Sequence, residues 1–338
     1  MTLKQNANNY GEKLSKLVER LPSLDKEDAI TDVLTEIEGE FSKRPELIGF
    51  ALENPALLRT KICFEKKDKL AASTFGHYIV EAYPREALTL FDLLREDPFN
   101  YLPVIKAEDY MGYTVACAHL IKIILKDGRE AFRKAILEDS GIAGDAPVSD
   151  GPFYEGLRGL LIKKLTGHPE LESILNIKDP DYNFAQYMVF DDYLGGKLID
   201  LIKDRPFFLS VLELAGKDGI KLFWRLAGPE NHETVDMLID AFESVPVDTV
   251  ERLLMSKTPT GYNIDLSLAN LIVAHRHGAI KLQNLIDRQP KLNSIAAMEG
   301  FYKKGARLKI GEIMNLAFRD EAKELMRKAS MGGKLGSA

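Results

Sequence analysis

Apolar residues along this chain return every three or four positions, and the stripes they draw are short. The clearest stretch runs from Gly261 to Leu292. Leu268, Leu271, Ile272 and Ala274 mark one oily face, and Ile280, Leu282, Leu285 and Ile286 mark a second. That period belongs to amphipathic helices. His277-Gly278 is expected to divide the pair, because glycine takes the left-handed C-terminal conformation without a Cβ clash. Pro290 ends the second helix and pushes Gln289 out of helical space. Helices this short cannot bury their stripes alone. They need neighbours, which is the physical reason repeats stack.

The rest of the chain follows the same pattern. Residues 1–10 are polar, without a stripe, and are expected to be disordered. Glu12 to Leu21 carries Leu14, Leu17, Val18 and Leu21 at helical spacing. Asp25 is placed to cap a helix over about Lys26 to Phe41, with Ile30, Val33, Leu34 and Ile37 inward. Two short helices follow, opened by Pro45 and by Asn54-Pro55, since proline suits a first helical turn. Residues 1–67 therefore read as an N-terminal helical cap. From 68 to 308 the chain reads as helix pairs. Turns are expected at Tyr83-Pro84, Asp127-Gly128, Gly167-His168, Gly195-Gly196, Asp218-Gly219, Val245-Pro246, His277-Gly278 and Lys304-Gly305. Their mean spacing is close to 32 residues, with intervals from 23 to 44. Ser140 to Gly151 is the one clear loop, a connector or hinge. Residues 309–338 form a basic amphipathic helix, Lys309 to Lys328, and a loose tail. Alternating runs of Val, Ile and Thr are missing, so no strands are expected. The fold class is all-α, an irregular helix-turn-helix solenoid.

The residues around the turns resemble an ankyrin repeat. Ankyrin units place alanine four residues before a glycine and an aliphatic pair seven and eight after it. Here Ala274, Leu285 and Ile286 stand so around Gly278, Ala215, Leu226 and Ala227 around Gly219, and Ile124, Ala135 and Ile136 around Gly128. Asp109-Tyr110-Met111-Gly112-Tyr113-Thr114 is similar to the Asp-x-x-Gly-x-Thr turn that leads into an ankyrin helix, and Gly261-Tyr262-Asn263 echoes it. The family's Thr-Pro-Leu-His run is absent, and the first helices are longer than the family's. The resemblance covers about half the chain and implies stacked helix pairs that bind proteins.

Composition narrows the chemistry. A hydrophobic content of 45% and a charged content of 28% are those of a soluble globular chain. No apolar run approaches the roughly 18 residues of a membrane span, and the N-terminus lacks a signal-peptide core. A cytoplasmic protein is expected. Cys63 and Cys117 fall in apolar stretches taken as helical, which fits buried free thiols in a reducing compartment. The net charge of −6 argues against nucleic acid as the main partner. Residues 301–338 nevertheless hold nine Lys or Arg against four Asp or Glu, so Lys303, Lys304, Arg307 and Lys309 mark a membrane or nucleic-acid contact to be tested.

No pattern of catalytic or metal-ligating residues stands out. His275 and His277 are i and i+2, which face apart on a helix, so a structural role is expected and no metal. Asp191-Asp192 offers too few oxygens for a divalent cation, and Gly195-Gly196 lacks phosphate-loop spacing. No cofactor is expected. Core packing is the default reading for Trp224, the only tryptophan, and for the aromatic group Tyr182, Phe184, Tyr187, Phe190 and Tyr193, part of which lies near helical spacing; a binding patch for a protein partner, where there is one, is placed from this group to Trp224. The binding residues so assigned are Tyr187, Phe190, Tyr193 and Trp224.

The expected function is a non-enzymatic protein–protein interaction scaffold. Divergent ankyrin-like arrays joined to other helices resemble those of effectors that intracellular bacteria deliver into host cells by type IV secretion. Glu321 and Glu324 before a small-residue end resemble the tails of such substrates. That resemblance implies a host protein as partner and delivery into the host cell. The alternative is a helical enzyme whose site forms only in three dimensions.

Overall fold

A computed structural model describes residues 3–24, 26–66, 69–121, 152–228, 232–257, 266–302 and 306–332. Asp25, the loop Ser140 to Gly151, the turns at Gly128, Gly261 and Gly305, and the tail beyond residue 332 lie outside the described residues. The protein is 70% helix and 7% strand, with no closed sheet among the described residues. It divides into two compact units, Met1–Asp191 and Asp192–Ala338.

The first unit opens with α1 (Leu3–Arg20), α2 (Glu27–Lys43), α3 (Glu46–Leu52) and α4 (Pro55–Leu58). Residues 3–10, expected to be disordered, lie in α1, and residues 1–2 are outside the described residues. Leu14, Leu17, Val18, Ile30, Val33 and Ile37 are buried, and Leu34 is half-buried. Asn54 caps α4 by accepting from the Leu57 amide at 3.2 Å. A hairpin, β1 (Lys61–Lys66) with β2 (Lys69–Thr74), then spans the position where the N-terminal region was expected to end. After it come α5 (Phe75–Ala82), α6 (Pro84–Ala87), α7 (Thr89–Glu96), α8 (Pro98–Ile105), α9 (Val115–Ile121), α10 (Pro152–Leu165), α11 (Leu171–Leu175) and α12 (Phe184–Val189).

The second unit holds α13 (Asp192–Ile202), α14 (Phe208–Leu212), α15 (Leu222–Leu226), α16 (His232–Phe242), α17 (Val247–Met255), α18 (Leu268–Ala274), α19 (Arg276–Arg288) and α20 (Asn293–Ala296). It ends with a hairpin, β3 (Glu299–Tyr302) and β4 (Ala306–Lys309), and α21 (Ile310–Gly332). Ile310, Ile313 and Met314 bury the inner face of α21.

One joint recurs along the chain. A short helix ends, the backbone makes a hairpin, and the next helix starts against the hairpin's base. In each copy the first helical residue donates its amide to the carbonyl just before the hairpin. The pairs are Phe75 to Thr60, Val115 to Ala107, Phe184 to Ile177, Leu222 to Leu214, Leu268 to Ser256 and Ile310 to Met298, at 2.8–3.1 Å. All six donors are apolar and buried. The residue before them caps the helix in four copies, Thr74, Thr114, Asn183 and Ser267 each accepting from the amide three residues on. A side-chain oxygen there satisfies a donor the helix cannot reach itself.

The helix before each hairpin is also alike. It carries Pro55, Pro98, Pro169, Pro206, Pro246 or Pro290 at or just before its start. Proline ends the preceding helix and suits the first turn of the next. Behind the proline a buried trio at i, i+3 and i+4 faces inward: Tyr101, Val104 and Ile105, then Leu171, Ile174 and Leu175, then Phe208, Val211 and Leu212, then Val250, Leu253 and Leu254. Two joints pack backbone closely against a glycine in the first turn of the helix. A Cβ on Gly76 would lie 3.1 Å from the Leu58 carbonyl oxygen, and one on Gly311 would lie 3.2 Å from that of Ala296.

These joints correct the expectation of no strands. Four of them are isolated antiparallel bridges, Glu108 with Thr114, Lys178 with Asn183, Ala215 with Lys221 and Lys257 with Ser267. A one-pair bridge is too short to show alternation, so the sequence carries no strand signal there. Cys63 also lies in β1 and not in a helix. Gly195-Gly196 falls inside α13. His277-Gly278 falls in the first turn of α19, and the break comes at His275. Gly278 is there for contact: a Cβ would meet the Ile272 oxygen at 2.6 Å and Val235 at 2.8 Å. The turns expected at Tyr83-Pro84, Gly167-His168, Asp218-Gly219 and Val245-Pro246 are present, with Gly167 and Gly219 at φ 66° and 72°.

Candidate interaction surface

Two successive hairpins of the first unit, at residues 107–114 and 176–183, lie against each other. The Asp109 to Thr114 segment forms the tight turn its sequence suggests. The Asp109 carboxylate accepts from the Met111 amide at 2.8 Å and the Tyr113 amide at 2.9 Å. Gly112 takes φ 85°, where side chains clash with the backbone. A Cβ there would also reach Pro180 on the next hairpin at 2.8 Å. Tyr113 donates its hydroxyl to Asp181 at 3.3 Å. Thr114 donates both its amide and its hydroxyl to Asp179 Oδ1, at 2.9 and 3.0 Å.

Histidine fixes this stack from the other side. His77 Nε2 bonds the Tyr113 carbonyl at 2.9 Å, and Nδ1 meets Thr74 Oγ1 at 2.8 Å. The carbonyl can only accept, so Nε2 carries the proton and Nδ1 accepts from the threonine. Burial holds the ring below the usual histidine range, hence neutral. His119 and His168 work alike, bonding the carbonyls of Pro84 at 2.6 Å and Phe91 at 2.9 Å. Burial pushes His119 down to about 4. All three side chains join backbone segments distant in sequence. Of the His275 and His277 pair, the first is buried and the second exposed.

Several large apolar side chains of the two hairpins and α12 are exposed. Tyr110 and Met111, at the tip of the first hairpin, are 40% and 51% exposed. On the second hairpin and α12, Tyr182, Tyr187 and Phe190 meet edge to face, with centroids 5.0–6.1 Å apart. Such contacts add about 0.5–1.5 kcal/mol each beyond area burial. Phe190 is 45% exposed, while Tyr187 is 8% exposed. Tyr187 thus supports the surface from beneath, and burial raises its phenol above the ordinary range.

The other two residues assigned to binding belong to the second unit. Tyr193 is 37% exposed in α13. Trp224, in α15, is 5% exposed and packs on Phe223 at 6.0 Å. Trp224 and Tyr187 are core side chains, and Phe190 and Tyr193 face solvent. Sequence reasoning passed over Tyr110 and Met111. The signal was available, since they occupy the two positions between the aspartate and glycine of the turn motif, where side chains point outward.

Little else among the described residues offers chemistry. Between α13 and α16 an open cavity of about 300 Å³ is lined by Asp200, Asp204, Asp240 and Lys203, and Lys203 is bonded to Asp200 at 3.1 Å. Among the described residues no group of three His, Cys, Asp or Glu is arranged to hold a metal ion, and no helix is long and apolar enough to cross a membrane. Cys117 is buried, and burial pushes its thiol far above the range of a nucleophile. In the basic C-terminal region, Arg307 lies 3.8 Å from Glu299, and Lys303 and Lys304 are outside the described residues. No protein-family model, no curated protein and no solved structure matches this chain.

Proposed function

We propose that this chain is a non-catalytic recognition protein that binds another protein through the outer side of the hairpin stack in its first unit. The observation that carries the reading is the pairing of a rigid base with an exposed apolar edge. Tyr110, Met111 and Phe190 are solvent-facing, yet the hairpins beneath them are fixed by buried bonds at Asp179 and His77. Ordered aromatic side chains lose little entropy on binding and make good anchors. In this reading the recurring joints are degenerate ankyrin-like repeats stacked as a solenoid, and the partner is a host protein met by an effector delivered by type IV secretion.

The test is a pull-down from host-cell lysate with the wild-type chain and Phe190→Asp. Phe190 is nearly half exposed but also packs on Tyr182 and Tyr187, so Phe190→Asp is expected to melt a few degrees lower, and the pull-down is run well below the melting temperature of both proteins. A specific partner should lose about 2 kcal/mol or more of affinity, a factor of roughly 30. Equal recovery with both proteins would remove this surface from the reading.

A further inference from the structure

The rings at the two hairpin tips each follow an acid. Asp109 precedes Tyr110 on the first hairpin, and Asp181 precedes Tyr182 on the second. Glu108, one residue further back, is exposed. Asp109 accepts the amides of its turn on Oδ1. Among the described residues neither Glu108 nor Asp109 makes an ion pair. Asp181 accepts from the Tyr113 hydroxyl on Oδ2, which holds its charge between the hairpins and within reach of Tyr187. The two lysines of these segments stand at the hairpin bases instead: Lys106 closes α8, and Lys178 pairs with Asn183.

We infer that the segment docking on this surface is a basic stretch of the partner protein, whose arginine or lysine side chains meet Glu108 and Asp109 while its apolar groups cover Tyr110, Met111 and Phe190. The inference rests on the binding surface proposed above and names the chemistry of what binds there. Ring faces are electron-rich and attract cations as carboxylates do. An acidic segment would meet like charge at both tips. A wholly apolar one would strip water from the carboxylates and return no donor. A guanidinium suits both features, because it lies flat on a ring, donates to a carboxylate and is weakly hydrated.

The experiment measures binding of two short fluorescent peptides to the full chain by anisotropy. One is built from arginine, leucine and serine, and the other has glutamate in place of arginine. The arginine peptide is expected to bind at least about tenfold tighter, and to weaken as salt screens the surface charges. Glu108→Lys with Asp109→Asn, where asparagine still accepts the turn amides, should weaken it by about tenfold. Asp32→Lys with Glu19→Gln makes the same change of charge at exposed positions of α2 and α1, and should weaken it by less than about threefold. Equal affinity for the two peptides, including none for either, overturns the inference. So does an equal loss in both double variants, because the arginine peptide would then be answering the charge of the whole chain. The peptide comparison uses the wild-type chain, so it stands even if a variant folds poorly. Loss of a lysate partner with Phe190→Asp, without a preference for the arginine peptide, would keep the surface and discard the basic segment.

Discussion

A methyl group added at Gly278 would arrive 2.6 Å from the Ile272 carbonyl oxygen and 2.8 Å from Val235. Backbone on one side and a packed branched side chain on the other leave it nowhere to go. At Gly39, inside α2, the same methyl would meet nothing within 4 Å. Gly278→Ala should therefore destabilise by about 1–3 kcal/mol, as overpacking does. Gly39→Ala should stabilise by roughly 0.5–1 kcal/mol, because glycine is the more costly residue in a helix interior. Urea titrations of both variants read the two signs directly. If Gly278→Ala were neutral, the surroundings would be yielding to the methyl and the contact would not require glycine.

The short helices depend on their joints more than on their own length. Isolated helices below about 12 residues are marginal in water, and α12 has only six residues. Asn183 starts it with a reciprocal cap: its side chain accepts from the Gln186 amide, and Gln186 accepts from the Asn183 amide. Asn183→Ala should cost about 1 kcal/mol, seen as a fall in melting temperature without a new intermediate. Capping of this kind was legible in the sequence at Asn54. The helical class was legible too, because apolar period is a local property. The unit of recurrence was not. Reading the chain by its glycines put breaks inside α13 and α19, where Gly195, Gly196 and Gly278 lie within helices. The six prolines named above, each at or just before the start of the helix that precedes a hairpin, mark the units more faithfully. A proline restricts backbone wherever it stands, whereas a glycine permits a turn without requiring one. The surface was half legible: aromatic density pointed to Phe190, and the core reading that the sequence also offered is the one that holds for Tyr187 and Trp224.

At the scale of the molecule, the question is whether charge or apolar burial holds successive helices together. In the second unit ion pairs link residues of different helices and their flanks: Glu213 with Arg252 at 2.7 Å, Asp240 with Lys281 at 2.6 Å and Glu243 with Arg288 at 2.6 Å. Each has at least one partner 56–59% exposed, and exposed pairs are worth about 0–1 kcal/mol apiece. The same helices bury Leu212, Leu238, Leu253, Leu282 and Ile286 at 2% exposure or less. Burying one such side chain contributes about 1.5–3 kcal/mol, so the apolar term dominates and the pairs set register. Salt separates the two. At 1 M the screening length falls to about 3 Å, which removes most of what exposed pairs contribute and leaves burial intact. The melting temperature in 1 M sodium chloride should therefore stay within roughly 5 °C of its low-salt value, given about 2–4 °C per kcal/mol for a domain of this size. A drop several times larger would mean that the charges carry the stacking. The apolar stripes, from which the helices were read, would then be filling space between them.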